Sequence, residues 1–331
     1  MRMLVSILLL GAVISGQAEV VRVATIQFES IDGAFQKNLH TATNLVRDAR
    51  DRGAQVVLLP EFALIGYDLS SNIWRSGETR NGTTISSLSE LAAENKIYLG
   101  TTFLEVDGEH FYNTFALLGP EGQLLGTVRK RKPAGAEGYF FRGDRNDHVI
   151  ETALGNIGVG ICQENYRCFL PTELHEVSAD LVLMPFSYPD LSKSGGLGSP
   201  KGSYIASWYA SQLGIPVVTS NKTGVWPQVE GAYFPGYSAI AEADGRILGE
   251  LDMNPGVLVM DVSLDPKLKV APKMDCVGPF VRELTLGSWL DRRLTWAMIW
   301  VSEVLGYSPE SEIEQSYLES EDRRDAALLL Q

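Results

Sequence analysis

The stretch NIGVGICQENYRCFLPTEL, residues 156–174, joins an apolar run of strand character to a helix start, with Cys162 at the junction. A cysteine in such a place is either a small hydrophobe packed in the interior or a nucleophile held at the carboxyl end of a strand. A strand that runs straight into a helix is also the basic unit of an α/β sheet. The stretch therefore bears on fold and chemistry together.

Working outward, two more apolar runs end in reactive side chains. VVLLPE (56–61) ends in Glu61, and QLLGTVRK (123–130) ends in Lys130. Ligand crevices of α/β sheets lie beyond the carboxyl ends of the strands. Glu61, Lys130 and Cys162 are therefore expected to converge on one pocket. Taken singly, each has a plainer reading: a solvated strand end, a member of the basic run RKRK (129–132), and a buried inert thiol. Together they make coherent chemistry. A partly desolvated carboxylate can take a proton from the thiol, and an ammonium beside a backbone N–H can hold the oxyanion formed by attack on a carbonyl or nitrile. A helix starting near Pro171 would further favour the thiolate.

The remaining pattern supports a mixed α/β sheet protein. VVRVATIQF (20–28) is rich in β-branched residues and reads as a strand. Phe35, Leu39, Ala42, Leu45, Val46 and Ala49 recur at helical spacing before Gly53. Further helices are expected over 85–96, near 171–179 and within 203–214. Strands are expected over 97–106, 111–119, 180–187, 215–221 and 256–264. A hairpin is expected over 237–251, with Asp244-Gly245 at its tip. No linker divides residues 19–265, which read as one domain, and no solenoid period is present.

The two ends read differently. MRM, the apolar run LVSILLLGAVI (4–14) and the small residues of SGQA form the three regions of a signal peptide over 1–18. Secretion or periplasmic export is therefore expected, with a cytoplasmic location as the alternative. Residues 266–331 form an extension with an aromatic helical stretch, LTWAMIWVSEVLGY (294–307), and a charged tail. Neither apolar run is long enough for a transmembrane span. In an oxidising compartment Cys168 and Cys276 could pair, which would leave Cys162 as the odd thiol.

Composition narrows the function classes. The 331-residue chain carries a formal net charge of −13, which repels phosphate and argues against nucleic-acid partners. Neither a P-loop nor a Gly-x-Gly-x-x-Gly loop is present, so no nucleotide cofactor is indicated. Cys162, Cys168 and His175 would make an incomplete zinc set at unfamiliar spacing, and no metal is expected. A cysteine–histidine hydrolase would need one of His40, His110, His148 or His175, all four of which read as surface residues. Asn81 and Asn221 open glycosylation sequons, and Asn221 falls at a strand end where a glycan would be awkward.

Six segments in order resemble the carbon–nitrogen hydrolase, or nitrilase, superfamily: LPEFALIGY (59–67), GTVRKRKP (126–133), EGYFFRGD (137–144), GVGICQENYRCFLPTEL (158–174), GIPVVTSNKTG (214–224) and FPGYSAIAEADGRIL (234–248). The resemblance implies a four-layer α-β-β-α sandwich, here with a C-terminal helical extension, and commonly a homodimer or larger homo-oligomer. It assigns Glu61 as general base, Lys130 as oxyanion holder, Cys162 as nucleophile and Glu137 as the residue that positions substrate and supports the lysine. The backbone N–H of Gln163 would share the oxyanion. Val128 and Lys132 depart from the tyrosine and histidine usual around the lysine. Glu164-Asn165 resembles the nitrilase Cys-Trp-Glu-Asn without its tryptophan. The implied activity is hydrolysis of a small amide through a thioester, with nitrile hydrolysis as the alternative and an inactive binding module of the same fold as a second one.

Overall fold

The computed structural model describes residues 18–167, 169–194 and 198–273. The expected signal peptide (all but its last residue), most of the C-terminal extension, and Cys168 and Cys276 with their proposed pairing lie outside these residues. From the N-terminus the chain runs β1 (Glu19–Gln27), α1 (Phe35–Asp51), β2 (Val56–Leu58), α2 (Thr83–Asn95), β3 (Tyr98–Asp107), β4 (His110–Leu118) and β5 (Leu124–Arg129). It continues through β6 (Val149–Thr152), β7 (Gly155–Val159), α3 (Phe169–Glu176), β8 (Leu181–Pro185), α4 (Gly202–Leu213) and β9 (Val217–Ser220). Five strands follow: β10 (Thr223–Val225), β11 (Tyr233–Pro235), β12 (Ala239–Ala241), β13 (Ile247–Glu250) and β14 (Gly256–Leu264).

The strands form two six-stranded mixed sheets, ordered β14-β1-β2-β3-β4-β5 and β13-β12-β9-β8-β7-β6. In the first, β1-β2-β3 are parallel and the outer pairs antiparallel. In the second, β7-β8-β9 are parallel. β14 returns from the second half of the chain to pair with β1 along its whole length, from Glu19↔Leu264 to Gln27↔Gly256.

Strand alternation explains the layers. Val21 and Val23 of β1 pack toward the second sheet with Val56 and Leu58, and the Thr25 hydroxyl donates to the Thr219 carbonyl across the gap at 2.7 Å. The intervening Ala24 and Ile26 pack with α1 and α2 through Ala42, Val46, Leu88 and Leu91. On the far side, Ile205, Ala206, Tyr209 and Leu213 of α4 and Leu170 and Leu174 of α3 join the core of the second sheet. Two helices, two sheets and two helices make the four-layer sandwich expected from the sequence. Each fully buried aliphatic side chain in these layers contributes about 1.5–3 kcal/mol.

Several details differ from the sequence reading. β6 and the small β10-β11 ribbon were not anticipated, because three- and four-residue strands carry too little periodicity. The first sheet's second strand ends at Leu58, so Glu61 stands three residues beyond it. β7 likewise ends three residues before Cys162. α3 begins at Phe169 and places Pro171 in its first turn, where the missing N–H costs nothing. His148 is a correction. It is wholly buried rather than on the surface, because Glu173 of α3 and Glu164 reach its ring. His40 and His175 are exposed and His110 is half-buried. Asn81 is exposed, whereas Asn221 is buried with its amide tied to the Tyr188 backbone. A glycan on Asn221 is incompatible with the fold. Among the described residues, no helix is long and apolar enough to cross a membrane.

Candidate active site

Glu61 sits in the turn after β2. β3 pins that turn: Thr101 Oγ1 donates to the Pro60 carbonyl and the Phe62 N–H donates to Thr102 Oγ1, both at 2.7 Å. The second sheet holds the side chain from the other side. The Ser187 N–H, just past β8, donates to Glu61 Oε2 at 2.7 Å, and the Ser187 hydroxyl donates to the Glu61 carbonyl at 3.0 Å. Asn113 of β4 donates to Glu61 Oε1 at 2.7 Å. The carboxylate therefore bridges the carboxyl ends of both sheets.

Lys130 directly follows β5. Of the basic run it belongs to, only Lys132 is exposed. Arg129 turns to Glu105, Asp107 and Asp144 and Arg131 to Glu173, while Lys130 between them points inward by strand alternation. Its Nζ donates to Glu61 Oε1 at 2.9 Å and lies 2.9 and 2.8 Å from the two oxygens of Glu137. Glu61, Lys130 and Glu137 are all 0 % exposed. Burial opposes the lysine's charge, but the two carboxylates outweigh it and hold the ammonium well above its ordinary range. Glu137 is pushed up by burial, and also by Glu61, against the pull of Lys130. Glu137 is further held by the Tyr67 hydroxyl at 2.7 Å and by the Ala134 N–H at 2.6 Å.

Cys162 opens a one-turn 3-10 helix, Cys162–Tyr166, and adopts φ +52°. This left-handed conformation is uncommon outside glycine. Asn165 holds the turn by donating to the carbonyls of Gly160 and Cys162 at 3.0 and 2.9 Å. Glu164 ties it to the lysine segment, accepting from the Ile161 N–H and from the backbone N–H groups of Arg131 and Lys132. The thiol is 3 % exposed and lies within the fields of Glu61, Lys130 and Glu137. Burial pushes it well above its ordinary range, Glu61 adds to the shift, and Lys130 offsets part of it. The helix expected to favour a thiolate, α3, begins only at Phe169, and the shift of the thiol is upward.

Gln163 occupies the second position of the 3-10 turn, half-buried, with its side-chain carbonyl accepting from Arg167 at 3.3 Å. The structure thus brings Glu61, Lys130, Glu137 and Cys162 together, while the Gln163 side chain is engaged with Arg167. Sequence reasoning missed Tyr67, Asn113 and Ser187. Tyr67 lay within the quoted segment LPEFALIGY, and Asn113 is the polar residue in the apolar strand FYNTFALL. Among the described residues there is no group of three or more side chains suited to hold a metal ion.

A buried thiol beside a carboxylate and an ammonium can be deprotonated during attack on an electrophilic carbon, and the oxyanion can be met by the ammonium. The carbon-nitrogen hydrolase family model matches residues 22–266. An N-carbamoylputrescine amidase of Arabidopsis thaliana is 27% identical over 267 residues, spanning 76% of this chain and 89% of the relative. A nitrilase of Pyrococcus abyssi is 26% identical over 254 residues, spanning 74% and 91%. Among solved structures, a carbon-nitrogen hydrolase from Helicobacter pylori G27 aligns with a TM-score of 0.67 at 19% identity, covering 74% of this chain and 90% of that one. An amidase from Nesterenkonia sp. aligns at 0.61 and 24%, covering 74% and 91%.

Proposed function

The chain belongs to the carbon–nitrogen hydrolase family of the nitrilase superfamily, and from that premise we propose that it hydrolyses a small amide to an acid and an amine or ammonia, with Cys162 as nucleophile. The observation that carries the reading is the Glu61–Lys130–Glu137 cluster, fully buried and acting on a thiol held in a left-handed turn.

In this reading Glu61 removes the Cys162 proton as Sγ attacks the amide carbon. The substrate oxygen gains the negative charge and is met by Lys130 Nζ and the Gln163 N–H. Losing one such donor costs on the order of 3 kcal/mol of transition-state stabilisation. Glu61 returns the proton to the leaving nitrogen as the C–N bond breaks, which leaves a thioester. It then takes a proton from water as the water adds, and the acid departs with the thiol restored. Glu137 holds Lys130 and orients the amide.

The amidase among the relatives favours amides. The nitrilase among them sustains a second reading, in which the same residues convert a nitrile to an acid and ammonia. Product analysis on matched amide and nitrile pairs separates the two. Cys162→Ala is expected to abolish turnover with the fold intact. No turnover of any amide or nitrile by the native protein would instead leave a binding module of this fold. Export and a homo-oligomeric state belong to the same proposal. N-terminal sequencing of secreted protein, expected to begin at Glu19, and its mass in solution test them.

A further inference from the structure

One buried cation near the site takes no part in this scheme. Lys222 follows β9 and is 1 % exposed. Its backbone is fixed: the N–H donates to Asn221 Oδ1 at 2.9 Å, and the carbonyl accepts from the Gly236 N–H at 2.8 Å. Its Nζ has no hydrogen-bond partner among the described residues. It lies 5.8 Å from the centre of the Tyr67 ring and 5.9 Å from that of Phe234, distances at which ring faces give an ammonium only modest support.

The position ties Lys222 to the reacting groups. Tyr67, one of its two ring neighbours, donates its hydroxyl to Glu137. Burial lowers the Lys222 pKa to about 7, against the opposing fields of Asp32, Glu61 and Cys162. None of these closes a bond to Nζ. Asp32 is engaged by the Tyr67 N–H at 2.8 Å and by Gln228 at 2.9 Å, and Glu61 by Lys130, Asn113 and Ser187. Its two ring neighbours, Tyr67 and Phe234, belong to an aromatic cluster that also includes Phe62 and Trp226. An amine in such surroundings carries a desolvation cost until an acceptor reaches it. A neutral acceptor would supply lone pairs but no charge. A carboxylate supplies both the charge and the lone pairs.

We propose that Lys222 is a substrate-positioning residue that receives a carboxylate, so that the substrate is an amide bearing an anionic group remote from the scissile bond across a short apolar spacer. This rests on the amide-hydrolase reading above. The spacer would lie along the aromatic cluster, and the charge pair would fix which end of the molecule meets Cys162.

The test uses the full chain and three small aliphatic amides: succinamate and glutaramate, which carry the carboxylate, against butyramide, which does not. Native protein is expected to favour the anionic amides at least tenfold in kcat/KM. Lys222→Met should collapse that preference toward unity, mainly through KM for the anionic probes, and Lys222→Arg should restore much of it. A merely structural role would depress all probes together. Native protein that turns over butyramide as well as the anionic amides overturns this inference and leaves amide hydrolysis standing, as does a Lys222→Met variant that keeps the preference. Absence of turnover of all three overturns this inference, and the amide-hydrolase reading is then decided by the wider amide and nitrile comparison. If Lys222→Met fails to fold, the native ratio and the arginine variant still decide.

Discussion

The Lys130 ammonium lies within 2.9 Å of both oxygens of Glu137 but meets Glu61 through one oxygen, Oε1, at 2.9 Å. The other Glu61 oxygen is held by the Ser187 N–H from the opposite sheet. Lys130 and Glu137 thus form a closed pair, while Glu61 is shared between the pair and the second half of the fold. That asymmetry suits Glu61 to move a proton while Glu137 keeps the lysine in place.

Glu61→Gln should separate two effects of opposite sign. The Glu61 charge pushes the Cys162 thiol up, so its removal lowers the thiol pKa and raises the thiolate fraction at pH 8. Alkylation of Cys162 by iodoacetamide should therefore quicken. Amide turnover should fall by about 10²–10⁴, the usual worth of a general base. Turnover close to native would dismiss Glu61 as the base.

Lys130→Met should be costly beyond catalysis. It leaves Glu61 and Glu137 facing each other, both fully buried and without their cation. Removing one member of a buried ion pair costs about 3–5 kcal/mol. Urea denaturation should show a loss of that order, and restoring neutrality with Lys130→Met/Glu137→Gln should recover part of it. A Lys130→Met variant as stable as the native protein would contradict the geometry.

The β-branched strand over 20–28 and the apolar face that α1 repeats at helical spacing were legible locally, whereas the four-layer sandwich was legible only through the resemblance of six segments in order. Glu61, Lys130 and Cys162 stood out because each ends an apolar run. Their supports did not. Ser187 and Glu61 are 126 residues apart in the chain, and Asn113 and Glu61 are 52 apart, so no window of sequence contains either pair. Lys222 lies just past the strand expected over 215–221. Its ring neighbours, Tyr67 and Phe234, come from distant segments. His148, read as a surface residue, is buried. The two glutamates that draw it inward belong to later turns of the chain.

Tyr67→Phe probes the support of Glu137 alone. The hydroxyl is fully buried and donates to Glu137 Oε1 at 2.7 Å, and a hydrogen bond to a charged group contributes about 1.5–3 kcal/mol. Thermal or urea unfolding should register a loss in that range. Turnover should fall much less than in Glu61→Gln, because Lys130 still holds both oxygens of Glu137. A collapse of turnover with unchanged stability would mean that the tyrosine itself touches substrate.

His148 gives the fold a pH dependence on the alkaline side. Burial disfavours its charge, but the Glu164 and Glu173 carboxylates, the latter 2.9 Å from Nδ1, outweigh it and raise the pKa to about 9. The unfolded value is about 6.5. A folded pKa above the unfolded one means that the stabilisation is fully present below about pH 6.5 and is lost as pH rises through about 9. A shift of this size corresponds to about 3 kcal/mol. The loss bears on the site as well as on the fold, because Glu164 also anchors the Ile161 and Arg131 N–H groups that frame Cys162 and Lys130. Urea unfolding of native protein and of His148→Gln at pH 6.5 and 9.5 measures the effect. The native protein should lose about 3 kcal/mol more than the variant across that interval, since only it titrates the imidazole. Equal losses in the two proteins would show that the imidazole is not charged in the folded state.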